Sequence, residues 1–299
     1  MLAIRRNLLA RRPHVRFVFD PAARDVGSTV MRGEQLFELA RRYLGSDYDL
    51  GYEPLTSDFY RSTLFLTKAA VKSLDSARLE RLKRRGNRLM FDLLDERPPE
   101  TTALADVVVA SSVVSLEKHG RAWPGMQVVL LNHHVDPRVR AVAARTAPCP
   151  EFSAGYVGNE ANGLIDDEVR ARLEVVHVYT DRRDDSWLEA VARFNLHYAL
   201  RRERGHDDTK PFLKGFTAAA CSAVVLVHES DREAAWWLGP DYPLIVRGEL
   251  RTPVGARALD EARDVFGTRR WQEAGEVMRG LADRTTDERI AGELARLLA

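Results

Sequence analysis

Thr209-Lys210-Pro211-Phe212-Leu213-Lys214-Gly215-Phe216-Thr217-Ala218-Ala219-Ala220-Cys221-Ser222-Ala223-Val224-Val225-Leu226-Val227-His228 runs a lysine-bearing helix start into a small-residue helix and then into a buried strand. Asp207, Asp208 and Thr209 are helix-capping residues, and Pro211 suits a first helical turn, where a backbone donor would be unpaired anyway. Lys210, Lys214 and Thr217 recur at helical spacing and share one face, while Phe212, Phe216, Ala219 and Ala220 fall on another. Free N–H groups at a helix start, joined by two ammonium groups, suit a phosphate or diphosphate better than a neutral ligand. The plainer reading of the same residues is two solvated lysines at the edge of a core helix.

Outward from this segment, short apolar runs alternate with helical patterns, the signature of βα repeats and parallel sheets. In the first half, strands are expected at His14–Asp20, Thr63–Thr67, Arg88–Asp92, Asp106–Ala110 and Gln127–Leu131, with helices at Met31–Leu44, Asp75–Arg85 and Ser112–Lys118. Pro137, Pro148 and Pro150 interrupt the pattern, and the domain boundary is placed there, giving domains 1–147 and 148–299. The second alternation reads Phe152–Val157 as strand, Asp166–Arg172 as helix, Glu174–Tyr179 as strand and Asp185–Arg202 as one long helix. After the opening segment come a helix at Glu233–Leu238, a strand at Pro243–Val246, and a tail, Ala256–Ala299, of two or three helices. Two such α/β halves are expected to face each other across a cleft lined by the carboxyl ends of their strands.

A length of 299 residues accommodates two domains of about 150 residues. With 45% hydrophobic and 30% charged residues the composition is globular, and no apolar run reaches the length of a bilayer crossing. Cys149 and Cys221 have neither metal-ligand spacing nor a disulfide framework around them, so a reducing cytoplasm is the expected compartment. The net charge is +1, yet Arg5, Arg6, Arg11, Arg12 and Arg16 precede the first acid, Asp20. This excess offers a peripheral contact with acidic lipid headgroups, or is simply a solvated face. Nothing points to nucleic acid.

Several pieces together resemble the GT-B superfamily of glycosyltransferases. Gly155-Tyr156-Val157-Gly158-Asn159 with Asn162 resembles the strand and turn that open the donor domain, and Thr217 to Val225 resembles its helix-to-strand element. Asp92 to Asp95, Ala105 to Ser112, and Asn132-His133-His134-Val135-Asp136 resemble strand-end motifs of acceptor domains. The resemblance implies a fold of two Rossmann-like domains and a helical C-terminal tail, with a nucleotide diphosphate sugar as donor, a hydroxyl acceptor, no metal and no further cofactor. The chain departs from the pattern where many retaining members carry a glutamate pair, because the aligned positions hold Thr209 and Thr217. Val224 stands where proline is common.

Within that resemblance, Lys210 and Lys214 neutralise the leaving diphosphate, and Thr209 and Thr217 stand at the donor positions. Gly155, Gly158 and Asn159 form a turn that admits the donor's diphosphate or base, or an ordinary βα turn. Arg32 reaches phosphate from the other domain, or is a surface arginine. His133, His134, Asp136 and Asp95 lie at strand ends as candidates for the acceptor's base, with packing at the linker as the alternative for the histidines. Asp20 and Asp92 also end strands. Asp47-Tyr48-Asp49 reads as a capped loop and Trp236-Trp237 as core. Two other functions share this frame: a nucleotide-sugar epimerase, and a degenerate protein that binds nucleotide sugar without transferring it.

Overall fold

The computed structural model describes residues 12–147, 149–202 and 207–299. They form two compact units, one of Met1–His133 with Thr209–Pro211 and Asp287–Ala299, the other of His134–Asp208 and Phe212–Thr286. Arg5, Arg6 and Arg11 lie outside the described residues.

The first unit is built on six parallel strands: β1 (His14–Phe19), β2 (Asp49–Pro54), β3 (Thr63–Leu66), β4 (Arg88–Leu94), β5 (Val107–Ala110) and β6 (Val128–Leu130), in the order β2-β1-β3-β4-β5-β6. Strands covered on both faces need continuous apolar runs, and β5, with the sequence VVVA, is buried at every position. Successive side chains then divide between the faces. Phe17, Phe65, Met90, Val107 and Val109 pack with Leu36, Leu39 and Ala40, and with Ile290, Leu294 and Leu297 of the last helix, Asp287–Leu298. Val18, Leu64, Leu66, Phe91 and Val108 pack with Leu79 and Leu82.

The second unit has five parallel strands: β7 (Ala154–Gly158), β8 (Glu174–His177), β9 (Leu196–Tyr198), β10 (Val224–His228) and β11 (Ile245–Val246), in the order β11-β10-β9-β7-β8. The first strand of the unit, β7, is flanked by β8 on one side and β9 on the other. Connections therefore leave it in opposite directions, which makes the carboxyl ends of β7 and β9 the topological switch point of this sheet.

The sequence reading and the fold differ at four places. Asp49–Pro54, for which no strand was expected and whose Asp49 was read as part of a capped loop, is edge strand β2. It is held by ions: Arg16 reaches Asp49 at 3.2 Å and Glu53 at 3.0 Å, and His14 lies 2.7 Å from Asp49. Asp185–Arg202 is not one helix. A single helical turn, Leu188–Val191, gives way to β9, because Leu196, His197 and Tyr198 are drawn into the middle of the sheet. The helix expected from Thr209 starts at Leu213, with Phe212 before it and no side-chain cap, so Lys210 precedes it. Of the tryptophan pair, Trp237 is buried and Trp236 is 63% exposed. The tail is three helices, Thr252–Asp264, Arg269–Arg284 and Asp287–Leu298.

Candidate functional site

Lys214 lies in the first turn of the helix Leu213–Ala220, whose Gly215, Phe216, Ala218 and Ala219 are buried. Its half-buried side chain therefore runs back along the sheet rather than out to solvent. The ammonium donates to the carbonyl oxygen of Val157 and lies 4.0 Å from the centroid of the Tyr156 ring. Both partners are at the carboxyl end of β7. Tyr156 is fixed in turn, its hydroxyl donating to the Asn159 carbonyl at 2.7 Å.

Gly158 ends β7 with φ +150°, and a Cβ placed there would lie 2.9 Å from Lys214 Nζ. A side chain at 158 would thus compete with the amine for the same space. Asn159 caps the short turn Glu160–Asn162 by accepting from the Ala161 N–H. Gly155 serves a different purpose. A Cβ on it would fall 2.3 Å from the Phe194 ring, so its missing side chain makes room for a core aromatic and not for a ligand.

The electrostatics at Lys214 are one-sided. Among the described residues no carboxylate pairs with it, and the other charge that bears on it is Arg201. Burial, reinforced by Arg201, lowers the amine to about 7. On β9, buried His197 is lowered to about 4, by burial first and by Lys214 second, and its Nε2 has no hydrogen-bond partner. The switch point of this unit thus presents an amine, a guanidinium, a neutral imidazole and a glycine, an arrangement that can receive an anion. Thr217 is half-buried one turn beyond Lys214.

Thr209 and Lys210 belong to the first unit, where the Thr209 carbonyl accepts from the Ser112 hydroxyl at 2.7 Å. Arg32, expected to reach for phosphate, is 1% exposed and committed within its own unit. It clasps Asp92 through two bonds, at 3.0 and 3.1 Å, and donates to the carbonyls of Leu131 and Asn132 at 3.2 and 3.1 Å. It sits in a π-helical turn, Val30–Gln35. Glu293 grips the same strand end through Asn132.

Of the acceptor-side candidates, Asp136 is buried as the cap of the helix Pro137–Ala143 and is held by the Arg138 guanidinium at 2.6 Å. Its carboxylate is occupied. His133 and His134 are both buried. Asp95 is half-buried, 2.9 Å from Lys68, and follows Leu94, whose φ of +54° is a left-handed value that a branched residue holds only under strain. Ser222, between the helix Leu213–Ala220 and β10, is likewise left-handed at φ +56°.

His197, Arg201 and Tyr156 were not legible as site residues. The first two sit on or just after a strand that reads as helix, and the aromatic ring looks like core. Among the described residues no group of three or more His, Cys, Asp or Glu side chains is arranged to hold a metal ion, and no helix is long and apolar enough to cross a membrane.

No protein-family model matches the chain, and no curated protein is similar to it in sequence. Solved structures are similar in fold. The chain superposes on Anabaena HepE in complex with UDP with a TM-score of 0.65 at 10% identity, covering 96% of this chain and 99% of that one. It superposes on a glycosyltransferase from Rickettsia africae with a TM-score of 0.58 at 9% identity, covering 97% and 98%. For the GtfA/B complex the TM-score is 0.54 at 10% identity, with 88% of this chain matched to 60% of a longer one. At these identities the likeness is one of fold, and with two parallel sheets, flanking helices and a helical tail the architecture is GT-B-like.

Proposed function

We propose that the protein is a glycosyltransferase that moves a sugar from a nucleotide diphosphate sugar to the hydroxyl of a glycan or metabolite. The observation that carries this reading is Lys214: a cation that no carboxylate among the described residues pairs with, at the switch point of a Rossmann-like sheet, beside a glycine that leaves it room. In the reaction the bond between the anomeric carbon and the diphosphate oxygen breaks, and its electron pair departs with the diphosphate. Lys214 and Arg201 stabilise that developing charge, taking the part a metal plays elsewhere. Gly158, Asn159 and Thr217 complete the donor seat, while Lys210 and Thr209 belong to the donor set on the strength of the resemblance. Structures similar in fold include HepE in complexes with UDP, with UDP-glucose, and with UDP and glucose, which supports a nucleotide-sugar ligand here.

On the acceptor side we assign the base to Asp95 or His133. The strained residue before Asp95 favours the carboxylate, since strain of this kind concentrates at functional positions. A cytoplasmic location and a metal-independent reaction complete the proposal.

A second reading, binding of nucleotide sugar without transfer, is favoured by Thr209 and Thr217 standing in place of a glutamate pair. Calorimetry with UDP, GDP, ADP and TDP, without added metal, tests the ligand. Release of nucleoside diphosphate from the matching sugar donor, measured with and without a hydroxyl acceptor, separates transfer from binding. No affinity for any of the four nucleotides would overturn both readings.

A further inference from the structure

A lysine carries its charge on a flexible four-carbon stem, and a flexible cation stabilises a leaving group only where something holds it. At Lys214 the ring of Tyr156 does so. Tyr156 is 1% exposed, its ring centroid lies 4.0 Å from Lys214 Nζ, and the Val157 carbonyl accepts an N–H from the same ammonium. The face of an aromatic ring is negative and attracts a cation, which an aliphatic side chain of equal size does not. Of the three ammonium donors, the carbonyl takes one and the ring face a second, leaving the third for a phosphate oxygen.

The ring itself is fixed. Its hydroxyl donates to the Asn159 carbonyl at 2.7 Å, and the Tyr198 ring stands against it edge to face with 6.5 Å between centroids. Two glycines clear the space: a Cβ on Gly163 would fall 2.9 Å from the Tyr156 ring, and a Cβ on Gly158 would fall 2.9 Å from Lys214 Nζ. A ring that only filled the core would need no clearance on the side of the amine.

We infer that Tyr156 is a positioning residue: its ring face fixes the Lys214 ammonium at the carboxyl end of β7, and its hydroxyl ties that position to the Asn159 turn. It acts on the diphosphate through Lys214 alone. The inference rests on the nucleotide-sugar reading.

Carbon-13 labelling of the lysine ε-carbons reads the contact without a ligand. The Lys214 ε-methylene protons, identified by their absence in Lys214→Met, are expected upfield of the other lysines in the native protein and in Tyr156→Phe, and at the ordinary position in Tyr156→Leu. An ordinary position in the native protein overturns the inference. Calorimetry with UDP, GDP, ADP and TDP reads the consequence. Tyr156→Leu is expected to lose roughly threefold to thirtyfold in affinity for the nucleotide that binds, and Tyr156→Phe less. In a Lys214→Met background the same leucine substitution is expected to cost nothing further. Unchanged affinity in Tyr156→Leu, or equal losses in the two backgrounds, overturns the inference and leaves the nucleotide-sugar reading standing. If Tyr156→Leu fails to fold, Tyr156→Phe carrying one, two or three ring fluorines decides, because fluorine drains charge from the ring face with little change of shape. Affinity is expected to fall with each fluorine, and a flat series overturns the inference. No binding of any nucleotide by the native protein overturns both.

Discussion

Glu293 receives two hydrogen bonds from Asn132, one from the backbone N–H at 2.8 Å and one from the side-chain amide at 2.9 Å. The helix Asp287–Leu298 thereby fastens the segment that leaves β6 toward His133, which Arg32 holds from the other side through the carbonyls of Leu131 and Asn132. Hydrogen bonds to a charged group contribute about 1.5–3 kcal/mol. Glu293→Ala is expected to lower unfolding stability by about that amount, and Glu293→Gln by less, with faster amide exchange at Asn132. Unchanged exchange there would show that the clasp does not hold the segment.

Lys214→Met is expected to weaken nucleoside diphosphate binding roughly tenfold to a hundredfold, the loss of one charge-assisted contact. Its thermal stability should stay the same or rise, because burial disfavours the charged amine and no ion pair is lost. Lys210→Ala should weaken binding as well if Lys210 shares the diphosphate. Unchanged affinity in both variants would sink the phosphate site.

His197 makes a pH signature. Its ordinary value is 6.5 and burial takes it down to about 4, so between those values the unfolded chain binds a proton that the native state does not. Stability from this residue is complete above 6.5, declines as the pH falls through the window, and declines no further below about 4. The loss amounts to about 3 kcal/mol. In His197→Leu that part of the acid slope should vanish, as read by chemical denaturation at pH 7, 5.5 and 4.5.

Ser222 holds a left-handed conformation at φ +56°, which costs an L-residue roughly 1–2 kcal/mol. Glycine adopts it freely but loses more entropy on folding. Ser222→Gly should therefore gain about 1 kcal/mol or somewhat less, visible as a higher denaturation midpoint with an unchanged slope. A destabilised variant would mean that the serine hydroxyl, not the backbone, decides the position.

The alternation of apolar runs and amphipathic helices was enough, by itself, to establish two α/β halves, because strands covered on both faces must be written as continuous apolar runs such as Val107–Ala110 and Val224–His228. It also marked Lys214, since helical spacing is a local property. What it left undecided depends on partners distant in the chain. Asp49–Pro54 becomes a strand by pairing its backbone with β1, whose Arg16 also reaches its acids, and Leu196–Tyr198 becomes one because neighbours on both sides supply backbone partners that outweigh a helix-like composition. The same holds for chemistry. That Arg32 is sealed onto Asp92, that Asp136 is spent as a cap, and that Lys214 has a ring, a carbonyl and Arg201 around it but, among the described residues, no carboxylate, are facts of three-dimensional neighbourhood. Charge and protonation follow from burial and from the nearest ions, and neither can be counted along a sequence.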